Sequence, residues 1–272
     1  MAVSTSRSNK LKDEVYKAAV DHAGKNDNKE IILKFYEENP TSPIDDQGDT
    51  VLHVLALHRT EVACELLQLE MHHGLLAKNC KGNTALHEAS RVGALKLAKL
   101  MVRKENSIVD HSNLVGETPL YWAAAYGQTK MFQFLAEKSN HSNLMGLRRN
   151  DGLTILHAAV MGEFYDLAKE IVDRYPPFLA VACNEEKKTA LHLLAQSPFL
   201  FRSGTLYSEM NVADSSFIPL ALLKLMIYSC LSIPVEDPNK GNLTDPEDSR
   251  EPEDGRSSIK GKKRNYFSTS NC

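Results

Sequence analysis

The tetrapeptide Thr-x-Leu-His, or its near copy Thr-x-Leu-Tyr, recurs five times along the chain and restricts it to a modular architecture. The copies are Thr50-Val51-Leu52-His53, Thr84-Ala85-Leu86-His87, Thr118-Pro119-Leu120-Tyr121, Thr154-Ile155-Leu156-His157 and Thr189-Ala190-Leu191-His192, at steps of 34, 34, 36 and 35 residues. A motif returning at a period of about 20 to 50 residues marks a solenoid, in which each unit buries its apolar face only by stacking on its neighbours.

The residues around the anchor describe one unit. Gly48, Gly82, Gly116 and Gly152 each stand two residues before the Thr, where a tight turn calls for positive φ. Small residues follow on a first helix: Ala56, Ala89-Ser90, Ala123-Ala124 and Ala159. They let neighbouring hairpins approach closely. Gly93 and Gly127, nine residues after the Thr, mark the turn into a second helix; Arg59 replaces them in the first clear copy. Gly162 comes one residue early, which predicts a shortened inner helix or turn in that unit. The second helix is amphipathic: Leu95, Leu97, Ala98, Leu100, Met101 and Val102 alternate with Lys96, Lys99, Arg103 and Lys104. A degenerate copy begins near Asp13, with Val15-Tyr16-Lys17-Ala18-Ala19 as its inner helix and Ile31-Ile32-Leu33-Lys34-Phe35 as its outer one.

Together these words resemble ankyrin repeats, whose signature is T-P-L-H-x-A at a period of about 33 residues. The resemblance implies an all-α ankyrin-repeat solenoid with hairpin-like finger turns. The expected organisation is a flexible N-terminus over 1–10 and an ankyrin-repeat domain over 11–203, with five clear repeats and one cap-like unit. A loop and apolar capping helix follow over 204–235, then a disordered acidic and basic tail over 236–272. The stretches Gly82–Ala89, Gly116–Ala124 and Thr154–Val160, with Tyr228–Val235, are similar to plant ankyrin proteins that carry a C-terminal PGG domain. That resemblance implies stress or defence signalling and, through the PGG domain, a membrane association. No Pro-Gly-Gly motif is present in this sequence.

Composition agrees with a protein-binding solenoid. The formal net charge of −3 gives no reason to propose nucleic acid as partner. Five cysteines without a C-x-x-C pair suggest a reducing setting, with Cys64 and Cys183 as core fillers. The polar N-terminus has no apolar run for a signal peptide. A cytoplasmic location follows, with the inner face of the plasma membrane or the nucleus as alternatives. The nuclear alternative rests on Lys260, Lys262, Lys263 and Arg264. The apolar stretch Phe217–Val235 is interrupted by Pro219, Lys224 and Pro234. A central lysine costs about 2.5–3.5 kcal/mol on insertion scales, which favours a capping helix over a membrane anchor.

Catalytic and phosphate-binding motifs are missing: there is no G-x-x-x-x-G-K-[ST], G-x-G-x-x-G or G-x-S-x-G, and His87-Glu88-Ala89-Ser90-Arg91 lacks the second histidine of a zinc protease. The recurring His53, His87, His157 and His192 invite a metal reading. Spaced one hairpin apart, about 10 Å, they are too far from one another to share an ion. They are expected instead to bridge the Thr hydroxyl and backbone groups of adjacent turns. No catalytic residue, metal or cofactor is expected.

The functional expectation is a concave groove that binds another protein, the chain itself being a monomer. Its fingertips are Asp46, Gln47 and Asp49; Cys80, Lys81 and Asn83; Leu114, Val115 and Glu117; and Asn150, Asp151 and Leu153. The inner helices add His58, Arg91, Tyr126 and Met161. Leu114, Val115, Tyr126, Leu153 and Met161 place apolar groups centrally within a polar rim, as interfaces commonly do. Leu114 and Val115 have a second reading, as packing between neighbouring fingers.

Overall fold

The computed structural model describes residues 2–21, 27–69, 73–139, 144–175 and 178–196. The expected capping helix over 204–235, the expected tail over 236–272 and the basic residues Lys260, Lys262, Lys263 and Arg264 lie outside the described residues. Among the described residues the chain is all-α, with only isolated antiparallel bridges between Pro43 and Thr50 and between Arg148 and Thr154.

Helices come in antiparallel pairs: α1 (Ala2–Val20) with α2 (Asp27–Glu38), α3 (Val51–His58) with α4 (Thr60–Gln68), and α5 (Ala85–Val92) with α6 (Leu95–Lys104). Next are α7 (Pro119–Ala125) with α8 (Thr129–Lys138), α9 (Ile155–Met161) with α10 (Tyr165–Arg174), then short α11 (Phe178–Val181) and α12 (Ala190–Gln196). Inner helices α1, α3, α5, α7, α9 and α12 stack in that order, and outer helices α4, α6 and α8 form a second layer. The core lies between the layers: Leu52, Leu55, Leu66, Leu86, Leu97, Met101, Phe132, Leu156 and Ile171 are fully buried. Each such side chain contributes roughly 1.5–3 kcal/mol of apolar burial.

Each inner helix starts where the repeated Thr stops extended chain. Thr50, Thr84, Thr118 and Thr154 all have φ near −81 to −98° and ψ between 165 and 169°, the geometry of an N-cap. Thr154 Oγ1 accepts the His157 N–H, and His157 Nδ1 accepts the Thr154 N–H at 3.2 Å. The same reciprocal capping box closes at Thr50 and Thr84. Pro119 occupies the first helical position of α7, where its missing N–H is not needed. Gly82 shows why glycine precedes the Thr. Its φ is +79°, and a Cβ there would stand 2.9 Å from the Leu114 amide nitrogen of the next finger.

Successive fingers are joined through main chain. Cys80 N–H donates to Gln47 O, Leu114 N–H to Lys81 O, Asn150 N–H to Val115 O and Glu185 N–H to Asp151 O, at 2.9–3.0 Å. Any residue can supply these bonds, so fingertip side chains vary without cost to the stack.

The degenerate first unit is a true helical pair: Val15, Ala18, Ala19, Ile32 and Phe35 are buried. Arg59 Nη1 donates to Ala18 O at 2.9 Å and ties this unit to the next. Three expectations need correction or narrowing. Residues 2–10, expected to be flexible, form the first half of α1, because helix propagates outward once the docked turn around Val15–Ala19 has nucleated it. The unit at Thr154 is shortened only in its helix, not in its turn: α9 has seven residues like α7, against eight in α3 and α5, and Glu163, nine residues after the Thr, adopts φ +61° in place of a glycine. Cys64 is buried as a core residue, but Cys183 is only half-buried, in the loop before α12.

Candidate protein-binding groove

The recurring histidines hold finger to finger. His53 Nδ1 accepts the Thr50 N–H at 3.3 Å, so the proton sits on Nε2, which donates to Asn83 O at 2.9 Å. His87 Nε2 donates likewise to Glu117 O at 3.1 Å and His157 Nε2 to Lys188 O at 3.0 Å. Burial disfavours the imidazolium and holds all three below the ordinary histidine range, His87 at about 4, with the bond to the next carbonyl offsetting part of the shift. Tyr121 replaces the third imidazole. There the Thr118 hydroxyl accepts the Tyr121 N–H at 3.2 Å and donates to Gly146 O at 2.9 Å, making the cross-unit bond itself.

A second structural row lies five residues before each Thr. Asp45 Oδ1 accepts the Gln47 and Asp49 N–H groups, Asn79 Oδ1 those of Lys81 and Asn83, and Asn113 Oδ1 those of Val115 and Glu117, all at 2.8–3.1 Å. These are Asx turns that fix each finger. The side-chain amides point back to the preceding finger: Asn79 Nδ2 donates to Asp49 Oδ1 at 2.8 Å and Asn113 Nδ2 to Asn83 Oδ1 at 3.0 Å.

This row decides which of the expected site residues are open to solvent. Asn83 is not. It is 2% exposed, its side chain is held by Asn113 and its carbonyl by His53, so it belongs to the scaffold. Asp49 is half-buried with one carboxylate oxygen taken by Asn79. Asp46, Gln47, Lys81 and Asn150 are exposed on the fingertips, and His58 and Arg91 are half-buried at the far ends of α3 and α5. Leu114 is 70% exposed and Val115 45%, so burial between fingers is not their role. Leu114 instead overhangs Gly82 on the finger surface.

Glu117, Tyr126, Leu153 and Met161 converge. They line an open cleft of about 400 Å³ together with Tyr121, Trp122, Ala125, Arg149, Ala158 and Gly162, between α7 and α9. Tyr126 is 45% and Met161 60% exposed. Trp122 forms the floor. Its Nε1–H donates to Glu117 Oε2 at 2.8 Å, its ring meets His87 edge-on at 5.5 Å between centroids, and Tyr126 lies 5.8 Å away. Arg149 Nη1 donates to Glu117 Oε1 at 3.2 Å and its Nη2 pairs with Asp151 Oδ2 at 3.0 Å. The Arg91 guanidinium lies over the Tyr126 ring at 5.9 Å. The rings of the cleft are therefore held in place by contacts within the chain.

Trp122 and Arg149 were not among the expected site residues, yet both carried a signal. Trp122 is the single tryptophan of the chain. Arg149 stands where Asp45, Asn79, Asn113 and Asn184 stand in the other units, a break in an otherwise Asx-only row. Asp151 takes over one of the turn bonds, accepting the Leu153 N–H at 3.1 Å. Among the described residues, no group of three or more His, Cys, Asp or Glu side chains could hold a metal ion, and no helix is long and apolar enough to cross a membrane.

Comparison with known proteins agrees with this geometry. A family model described as ankyrin repeats in three copies matches residues 18–111, 62–145 and 105–180. The nuclear factor NF-kappa-B p105 subunit of Gallus gallus is 26% identical over 186 residues, 65% of this chain and 18% of its own length. Alpha-latrotoxin-Lhe1a of Latrodectus hesperus is 32% identical over 118 residues, 43% of this chain and 8% of its own. Ankyrin repeat family A protein 2 of Homo sapiens is 30% identical over 71 residues, 26% of this chain and 22% of its own. The chain thus spans less than a quarter of each of these relatives, and what it shares with them is the repeat. With its Thr-capped hairpins, histidine ladder and stacked fingers, the chain belongs to the ankyrin-repeat family.

Proposed function

We propose that this chain is a non-enzymatic adaptor that binds another protein in the groove between its fingers and inner helices. Ankyrin repeats are protein-interaction modules, which sets the class of activity. The observation that carries the location is the convergence of Tyr126, Leu153 and Met161 on Trp122 in one open cleft. Large apolar groups left exposed beside a rigid aromatic floor have the composition of an interface centre. Asp46, Gln47, Lys81, Arg91, Leu114, Val115 and Asn150 form the rim. Glu117 and Asp151, both engaged by Arg149, hold the cleft in shape. A role in stress or defence signalling is the finer reading, and it rests on the resemblance of the repeats to the plant family named above.

The test is capture of cellular partners by the intact chain and by a Tyr126→Ala, Met161→Ala double variant. Both side chains are solvent-facing, so the variant keeps its fold. Truncating two central contacts that each contribute more than about 1 kcal/mol lowers capture at least tenfold. Undiminished capture of every partner would sink the groove assignment.

A further inference from the structure

The groove joins two chemically different subsites. At its N-terminal end the first finger presents Asp45, Asp46 and Asp49 with no cation between Ile44 and Thr50. Behind it, on the first turn of α5, lies Glu88. It is 7% exposed and its carboxyl is hydrogen-bonded by the Asn83 side chain with Lys81 nearby, yet its Oε2 receives no hydrogen bond among the described residues and its ion pair with Arg91 Nε is long, at 3.8 Å. Leaving a buried acceptor without a donor is unfavourable, and a ligand that brings an ammonium or guanidinium N–H relieves it. Four residues after its Thr, Glu88 occupies the repeat position that Trp122 occupies in the next unit. The acidic subsite and the aromatic cleft are therefore one repeat apart, about 10 Å by helix-packing distances.

A complementary occupant is an extended segment with cations followed, three or four residues later, by bulky aromatic groups, since extended chain advances about 3.3 Å per residue. This chain carries one such segment: Lys260-Gly261-Lys262-Lys263-Arg264-Asn265-Tyr266-Phe267. Reach is no obstacle. The roughly 60 residues between Gln196 and Lys260 have a contour near 200 Å, far more than the four repeats of the groove.

Building on the groove reading above, we propose that residues 260–267 dock in the chain's own groove. Their cations sit against Asp46, Asp49 and Glu88, and Tyr266 and Phe267 enter the cleft of Trp122, Tyr126 and Met161. The segment then competes with any partner for the same surface. A tether that spans two sites supplies an effective concentration on the order of 1 mM, so a segment of only ~100 µM affinity holds the groove about nine-tenths occupied and weakens partner binding roughly tenfold.

Trp122, as the sole tryptophan, reports occupancy directly through acrylamide quenching of its fluorescence in the full-length chain. Replacing Tyr266→Ala and Phe267→Ala together, or Glu88→Gln alone, is expected to raise quenching while far-UV circular dichroism stays unchanged. A synthetic peptide of residues 256–272 added to the Tyr266→Ala, Phe267→Ala chain restores protection saturably, and a scrambled peptide does not. Equal quenching in the native and Tyr266→Ala, Phe267→Ala chains overturns the proposal. So does restoration by the scrambled peptide, or restoration that survives Tyr126→Ala with Met161→Ala, which places the segment outside the cleft. Protection that vanishes on dilution assigns the segment to a second copy and overturns the intramolecular arrangement. Flat quenching together with lost partner capture in the Tyr126→Ala, Met161→Ala chain leaves the groove as a partner site and removes only the self-docking.

Discussion

The junction between the units at Thr84 and Thr118 and the junction between those at Thr118 and Thr154 solve the same problem differently. At the first, an imidazole crosses to Glu117 O and an asparagine, Asn113, builds the finger turn and reaches back to Asn83. At the second, a tyrosine and an arginine stand in those two places, Thr118 makes the crossing bond, and Arg149 grips Glu117 and Asp151. Where the repeat is kept, polar side chains are consumed by the scaffold. Where it is broken, they are released to build a cleft, and the exposed rings lie at that break. Irregularity in a repeat protein is thus the first place to look for recognition.

The largest effect separating scaffold from cleft is expected at Leu86. Leu86→Ala empties a fully buried site and is expected to cost about 2–5 kcal/mol, seen as a lower midpoint in urea unfolding. Met161→Ala, at a 60% exposed position, is expected to change stability by no more than about 0.5 kcal/mol. Similar losses at the two positions would erase the distinction between them.

Acid tests the histidine junctions against the tyrosine one. The folded-state pKa of His87 lies near 4, below the unfolded value of 6.5, so its contribution is complete above pH 6.5 and is lost as the pH falls toward 4. The loss amounts to roughly 3 kcal/mol, at about 1.4 kcal/mol per pH unit. His53 and His157 are shifted in the same direction and add to it. Denaturant unfolding at pH 7 and pH 4 measures the sum, and His87→Tyr, which copies the third unit, should flatten the profile. An unchanged slope in that variant would show that the imidazole bond is not the pH-sensitive link.

Glu88→Gln offers a smaller effect of opposite sign. Burial raises the carboxyl pKa of Glu88, so its ionised form weakens the fold as the pH rises through that value. The neutral isostere should stabilise the chain at pH 7 by about 1 kcal/mol. A loss of stability instead would mean that the pairings of the carboxylate with Arg91, the Asn83 side chain and any docked cation outweigh the cost of burying its charge. The smallest change is expected at Glu163, a non-glycine residue at φ +61°. Glu163→Gly removes a left-handed penalty of about 1–2 kcal/mol against a chain-entropy cost of 0.5–1, a net gain near 0.5 kcal/mol in thermal unfolding.

Much of the scaffold was legible in the sequence because each of its parts is a local requirement repeated five times. The Thr that caps α5 and the glycine at φ +79° before it act within a few residues of one another, and the period then repeats them. The structural role of His53, His87 and His157 followed from spacing alone. Which of the expected site residues stay exposed was legible only in part. Asn83 looked like a fingertip residue and is buried, because its partner Asn113 lies a full repeat away. Trp122 lies on the inner helix of its own unit, and its neighbours across the cleft, Leu153 and Met161, come from the next one.

The sequence by itself determined the architecture: the period, the caps and the small residues of the inner helices allow only a stack of hairpins, since each enforces geometry within one unit. Tertiary structure alone decided which side chains are spent on the stack and which are left over. Asn83 and Trp122 are each one residue in a varying position, and their fates are set by atoms some 30 residues distant. A carboxamide that meets the next finger's asparagine is withdrawn from the surface. An indole that finds a glutamate held by an arginine becomes the floor of a cleft.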